Sequence, residues 1–249
     1  MMENPLNLVI GGLLFVLLCG TSAYGAPTSG FIDANGIKVP YLIDGTGEPV
    51  VLIHGLDSSA EATWQKPGTM EALAKNHQVI AIDLPGFGQS GNSDESTAYG
   101  DRWVDDVTAL LNQLKIRRAH IVGYSIGGLV ALKFVDEYPD RAISATLGGM
   151  GWLEADSGLE RDWVRKQNPL AFGVSQLALT RGDLESIQVP VIILVGDYDK
   201  SNEFYVAPLQ KLRPDWRVVA IKDANHLTCV SKPQFIDALV KWIDANRQK

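Results

Sequence analysis

Only two cysteines occur in 249 residues, Cys19 and Cys229. Cys19 lies in an apolar N-terminal segment, so a chain that loses that segment keeps a single thiol and excludes an intrachain disulfide framework. The core must hold itself together, and cysteine usage alone suits any compartment. Long basic runs are also absent, and 22 Lys and Arg against 29 Asp and Glu leave a net charge of -7. That balance excludes nucleic acid and anionic membrane surfaces as expected partners and leaves a small molecule. No cluster of Cys, His and carboxylates has metal-ligand spacing, no internal repeat is visible, and no cofactor is implied.

Hydrophobic runs of membrane length are missing too. The longest, Leu8 to Cys19, has 12 residues, short of the roughly 20 that a spanning helix needs. With the small-residue segment Gly20 to Ala26 behind it, residues 1–25 have the shape of a secretory signal peptide. Ala23 and Gly25 fit the two small positions of a cleavage site and leave Ala26 as the mature N-terminus. The segment before the run carries Glu3 and no Lys or Arg, which keeps an uncleaved N-terminal anchor as the alternative. Leu18 stands before Cys19 where a lipid-attachment signal wants a small residue. The expectation is a secreted or periplasmic protein without stable membrane association once the leader is gone.

What is present is enough apolar residue, 46% of the chain, for one sizeable core and a single domain over 26–249. Two extended runs between Phe31 and Ile43 meet at Asn35-Gly36, a hairpin signal. Short β-branched runs then alternate with amphipathic stretches. Strands are predicted at Val50 to Ile53, Val79 to Ile82, His120 to Val122, Ala142 to Leu147, Val191 to Val195 and Val218 to Ile221. Helices are predicted at Met70 to Lys75, Trp103 to Leu114, Ile126 to Tyr138, Phe204 to Leu212 and Phe235 to Ile243. Strands apolar on both faces belong to a sheet covered on two sides, so the class is α/β with a doubly wound, mostly parallel sheet. The stretch from about 150 to 187 breaks the rhythm and carries Trp152, Trp163 and Phe172. It reads as a short inserted lid, because structureless connections of that length are uncommon in compact domains.

Val122 to Gly128 reads Val-Gly-Tyr-Ser-Ile-Gly-Gly, a G-x-S-x-G between a predicted strand and a predicted helix. That context is a nucleophile elbow, in which small residues at 123 and 127 let a strained Ser125 project from a sharp turn.

Four further segments accompany it: Leu52-Ile-His-Gly-Leu56, Asp83-Leu-Pro-Gly-Phe-Gly-Gln-Ser90, Val195-Gly-Asp-Tyr-Asp199 and Ala224-Asn-His-Leu-Thr228. In this order, and spread over essentially the whole chain after residue 30, the five segments resemble the α/β-hydrolase fold family. The resemblance implies an eight-stranded, mostly parallel sheet and a Ser, Asp, His order of catalytic groups. A serine hydroxyl is a poor nucleophile at neutral pH, so a histidine must take its proton and a carboxylate must hold that histidine in the right tautomer. Among the histidines, His54 opens the His-Gly turn, His77 precedes a strand and His120 begins one; His226 alone follows the acid candidates. In the family's pattern of Gly, two variable residues and Asp, Asp199 is the match and Asp197 the alternative. The family's usual Gly before the histidine is here Asn225. The oxyanion-hole donors implied are the backbone N–H groups of Leu56 and Ile126. Relatives that open epoxides or remove halide share the Asp83 to Ser90 pattern but carry Asp at the elbow, so Ser125 argues against both activities.

The resemblance thus implies a serine hydrolase that cleaves carboxylic esters of small to medium size through an acyl-enzyme on Ser125, with Trp152, Trp163 and Phe172 available to line the pocket. Lactonase, thioesterase, perhydrolase and carbon-carbon bond hydrolase activities use closely similar motifs. A slow-turnover ligand sensor would carry the same residues and is separated from an enzyme by multiple turnover.

Overall fold

The computed structural model describes residues 27–34, 36–90, 99–155 and 168–248. The leader, Asn35 and Trp163 lie outside the described residues. Eight strands form one sheet: β1 (Thr28–Ala34), β2 (Ile37–Asp44), β3 (Glu48–Ile53), β4 (His77–Ile82), β5 (Ala119–Tyr124), β6 (Ala142–Gly148), β7 (Val191–Gly196) and β8 (Arg217–Ile221). Their spatial order is β1-β2-β4-β3-β5-β6-β7-β8. The pairs β1/β2 and β2/β4 are antiparallel, and every pair from β4 to β8 is parallel. The six strands predicted from apolar runs and the hairpin before them are all present.

Alternation along each central strand divides the core between the two faces. Val51 and Ile53 of β3 join α2 (Asp101–Gln113) and α3 (Ile126–Glu137) on one side, with Trp103, Leu129 and Phe134. Val50 and Leu52 join α1 (Thr69–Ala74) and α7 (Pro233–Ala245) on the other, with Met70, Phe235 and Leu239. Burial on both faces is why these strands read as continuous apolar runs rather than alternating ones.

Strand order reverses between β3 and β5, because the chain steps outward from β3 to β4 and then returns past β3 to β5. A crevice opens at such a switch point, beyond the carboxyl ends of the two strands, and ligands in open α/β sheets bind there. The Leu52 to Leu56 segment leaves β3 and the elbow leaves β5, so both border this crevice.

The insertion between β6 and β7 contains α4 (Pro169–Gln176) and α5 (Arg181–Ser186). Asn168 caps α4 by accepting from the Ala171 N–H at 3.0 Å, and Thr180 with Asp183 forms a reciprocal capping box on α5. A bridge from Glu154 to Leu179 ties the start of the insertion to the segment between α4 and α5. Among the described residues no helix is long and apolar enough to cross a membrane. The predicted helix from Phe204 to Leu212 begins with one wide turn over Asn202–Val206 and continues as α6 (Ala207–Leu212).

Candidate active site

Ser125 stands between β5 and α3 with φ 54 and ψ -120. A non-glycine residue in that region stores on the order of 1–3 kcal/mol of strain and persists only where its surroundings enforce it. The enforcement is visible. A Cβ on Gly123 would overlap the Gly127 carbonyl oxygen, and a Cβ on Gly127 would lie 2.6 Å from the His54 carbonyl oxygen. The two glycines of the motif are therefore required by close backbone approach. Ser125 N–H also donates to the Gly148 carbonyl at 2.7 Å, which ties the elbow to the end of β6.

The Ser125 Oγ lies 2.8 Å from His226 Nε2, and His226 Nδ1 lies 2.8 Å from Asp199 Oδ2. The acid is buried, with its side chain 2% exposed, while the histidine side chain is 34% exposed to the cleft. The other Asp199 oxygen accepts the Ser201 N–H at 2.8 Å. A serine, a base within hydrogen-bond reach and a buried carboxylate that orients the base form the arrangement that supports serine-hydrolase chemistry.

The two acid candidates separate cleanly. Asp197 does not reach His226; its carboxylate accepts the N–H groups of Asp223 and Ala224, both at 3.1 Å. Those bonds hold its pKa below the usual carboxylate range, the Ala224 N–H first among them, and they shape the turn that delivers His226. Asn225, in place of the family's glycine, is not in a left-handed conformation; Asp223 is, at φ 52. The Asn225 side-chain oxygen instead accepts the N–H groups of Leu227 and Thr228 at 2.9 and 3.1 Å. Asn225 thus closes the turn with its side chain.

His54 and Asp83 serve the loops around the crevice. The Leu84 N–H donates to His54 Nε2 at 3.0 Å, so the ring proton sits on Nδ1 and donates to the Gly55 carbonyl at 2.7 Å. Burial lowers the His54 pKa, against opposing contributions from that carbonyl and from Asp83. Asp83 accepts the Ala60 N–H at 2.7 Å and the Gln89 N–H at 2.8 Å, binding the loop after β3 to the Asp83 to Ser90 turn. A Cβ on Gly55 would lie 3.2 Å from the Ser125 Cβ, so the chain at Leu56 passes beside the serine. Ile126 is the first residue of α3, where a helix leaves its N–H without an intrahelical acceptor.

Trp152 is buried, and its indole N–H donates to the Leu179 carbonyl at 2.8 Å. Phe172 is half-buried on α4. The cavity of about 420 Å³ that touches Asp199 and His226 is lined by Met150, Tyr198, Phe204, Tyr205 and Leu227 and by the polar Lys200, Ser201 and Asn225; neither Trp152 nor Phe172 lines it. Trp152 borders an adjoining cavity of about 400 Å³ that shares Phe204 and Tyr205 with the first. Sequence reasoning used Phe204 only as a helix start and passed over Tyr205, Leu227 and Tyr124. Position beside Asp199 and His226 was the available signal for Tyr198 and Leu227; nothing local marked the others.

A family model for the alpha/beta hydrolase fold matches residues 48–165. The chain belongs to the α/β-hydrolase fold family. It is 35% identical over 190 residues to a 2-hydroxymuconate semialdehyde hydrolase of Pseudomonas sp. (strain CF600), a match covering 72% of this chain and 66% of that protein. A putative carbamate hydrolase of Azorhizobium caulinodans is 35% identical over 134 residues, covering 53% of this chain and 49% of that protein. The chain therefore spans just under two thirds of the first relative and about half of the second. Among solved structures, a thermophilic esterase from Thermogutta terrifontis aligns with a TM-score of 0.75 at 21% identity, covering 89% of this chain and all of that one. Likeness at that identity establishes the α/β-hydrolase architecture and leaves the bond cleaved to the chemistry of the site.

Proposed function

We propose that this α/β-hydrolase cleaves carboxylic esters of small to medium, partly apolar substrates through an acyl-enzyme on Ser125. The observation that carries the reading is the unbroken chain from Ser125 Oγ through His226 to Asp199 beside an apolar-walled cavity. In the first half-reaction Ser125 Oγ attacks the ester carbonyl carbon while its proton passes to His226 Nε2. The oxyanion is held by the N–H groups of Leu56 and Ile126. His226 then returns the proton to the departing alkoxide, and an alcohol leaves. In the second half-reaction His226 removes a proton from water, hydroxide attacks the acyl carbon, and the carboxylic acid is released as Ser125 regains its proton. Asp199 keeps the His226 Nδ1 protonated throughout, so that Nε2 starts each half-reaction as an acceptor.

Met150, Phe204, Tyr205 and Leu227 favour an apolar group on the substrate. Turnover of p-nitrophenyl esters from acetate to palmitate, with Ser125→Ala beside the native protein, tests the reading. An optimum at short or medium chains, abolished in Ser125→Ala, is expected; a best substrate of palmitate length, or activity surviving the substitution, would refute it.

A second reading is carbon-carbon bond hydrolysis, favoured by the similarity to the Pseudomonas 2-hydroxymuconate semialdehyde hydrolase over 72% of this chain. Consumption of 2-hydroxymuconate semialdehyde with kcat/KM far above that for every ester in the series would establish it in place of the ester reading. Export through residues 1–25 belongs to the same proposal, and N-terminal sequencing of the secreted protein at Ala26 tests it.

A further inference from the structure

Tyr124, the residue before Ser125, is buried at the end of β5 and packs in the core layer with Cys229 and Phe235. Its hydroxyl donates to the His226 backbone carbonyl at 2.5 Å. Its ring lies 5.7 Å from the imidazole and 5.9 Å, edge to face, from Phe235 on α7. Room for that ring is made by two glycines, Gly148 at the end of β6 and Gly149 after it. A Cβ on Gly148 would come within 2.7 Å of the ring edge, and one on Gly149, at φ +61, within 3.0 Å of Cζ and 3.1 Å of the hydroxyl.

We propose that Tyr124 is a positioning residue for catalysis: its hydroxyl fixes the backbone of the His226 turn, so that Nε2 stays on the Ser125 oxygen. The role rests on the reading of Ser125 as nucleophile. No other bond described above holds the His226 main chain itself. Asp197 binds residues 223 and 224, Asn225 binds 227 and 228, and Asp199 binds the imidazole. Because the elbow makes Tyr124 and Ser125 consecutive, one strand end sets both the nucleophile and the seat of its base. Burial raises the Tyr124 pKa far above the working range and that of the neighbouring Cys229 thiol to about 12. The phenol therefore keeps its proton, and can donate, at every pH where the enzyme works.

The test uses an alkyl fluorophosphonate, which reports on the serine without knowledge of the natural substrate. Ser125 Oγ forms a bond to phosphorus, the P–F bond breaks, fluoride leaves, and the serine proton passes to His226. Tyr124→Phe is expected to slow labelling about tenfold, the scale on which sub-ångström misplacement of a catalytic group acts. The ratio to the native rate should stay constant from pH 6 to 9, and with p-nitrophenyl acetate kcat should fall while KM holds. Val39→Ala, a buried truncation on remote β2, supplies a destabilised control that labels at the native rate. Native-rate labelling of Tyr124→Phe, a ratio that varies with pH, or equal slowing in Val39→Ala would overturn the positioning role. Failure of the native protein to label would overturn the nucleophile reading, and the role of Tyr124 with it.

Discussion

Replacing Asp199 by Asn changes one atom and, by the hydrogen-bond pattern around it, reverses the histidine. Oδ1 of Asp199 accepts the Ser201 N–H, and Oδ2 faces His226 Nδ1. An asparagine can keep the Ser201 bond only by placing its carbonyl oxygen there, which turns its NH2 toward Nδ1. Nδ1 must then accept, the ring proton moves to Nε2, and Nε2 faces the Ser125 hydroxyl as a donor. A base that already carries the proton cannot take one, so the fold survives while the chemistry stops. The expected loss in kcat/KM on p-nitrophenyl acetate is about 10³ to 10⁴, or about 4 to 5.5 kcal/mol of barrier. Asp197→Asn is the matched control. It weakens a bond in the turn that delivers His226 without reversing the imidazole, so kcat/KM should fall by no more than about tenfold, the scale of a small misplacement of the base. Thermal melting of both variants confirms that each is folded. The reasoning is refuted if Asp199→Asn retains more than a tenth of native activity, or if Asp197→Asn loses as much.

Gly127→Ala drives a Cβ into the carbonyl oxygens of Ile53 and His54; a destabilisation of about 1–3 kcal/mol with loss of activity is expected, read by denaturant melts and esterase assay. His54→Ala leaves the Leu84 N–H and the Gly55 carbonyl without their partner, which should cost about 1–3 kcal/mol and lower kcat by loosening the loop that carries Leu56. His120, buried against Ser144 Oγ at 2.7 Å and facing Glu48 at 3.4 Å, has its pKa lowered to about 4, chiefly by burial. The unfolded chain takes up this proton near pH 6.5 and the folded one only near 4. Stability from this site is therefore complete above 6.5 and is lost as pH falls between those values, by on the order of 3 kcal/mol. His120→Gln should flatten that part of the stability-pH curve, and an unchanged slope would refute the assignment.

The parts of the fold that follow from local chemistry were legible in the sequence: β3, β5 and β7 as β-branched runs and the elbow from Gly123 and Gly127; the choice of Asp199 over Asp197 came from the resemblance to the family's pattern. Asp197 illustrates the boundary. The family's pattern set it aside as the acid but did not show that it would bind the amides just before His226, because that needs the register of β7 against β8. Tyr205 and Tyr124 were illegible for the same reason. Tyr205 meets the site only because its turn packs against Gly151, and Tyr124 meets His226 across 102 residues of chain.

The four histidines show how the sheet assigns roles that residue type leaves open. A parallel sheet has two unlike ends. His77 and His120 sit at the amino ends of β4 and β5, their rings edge to face at 6.3 Å, and His77 is bound to Asp244 near the end of α7. That end contains packed strand starts and the end of α7, so a buried imidazole there contributes to packing, and His120 also to the pH dependence of stability. His54 and His226 sit beyond the carboxyl ends of β3 and β8, where the switch in strand order opens the crevice. His54 spends both ring nitrogens on backbone groups and has none for a substrate. His226 keeps Nε2 directed at Ser125, which makes it the one histidine that the topology brings to the serine with a nitrogen still available for proton transfer.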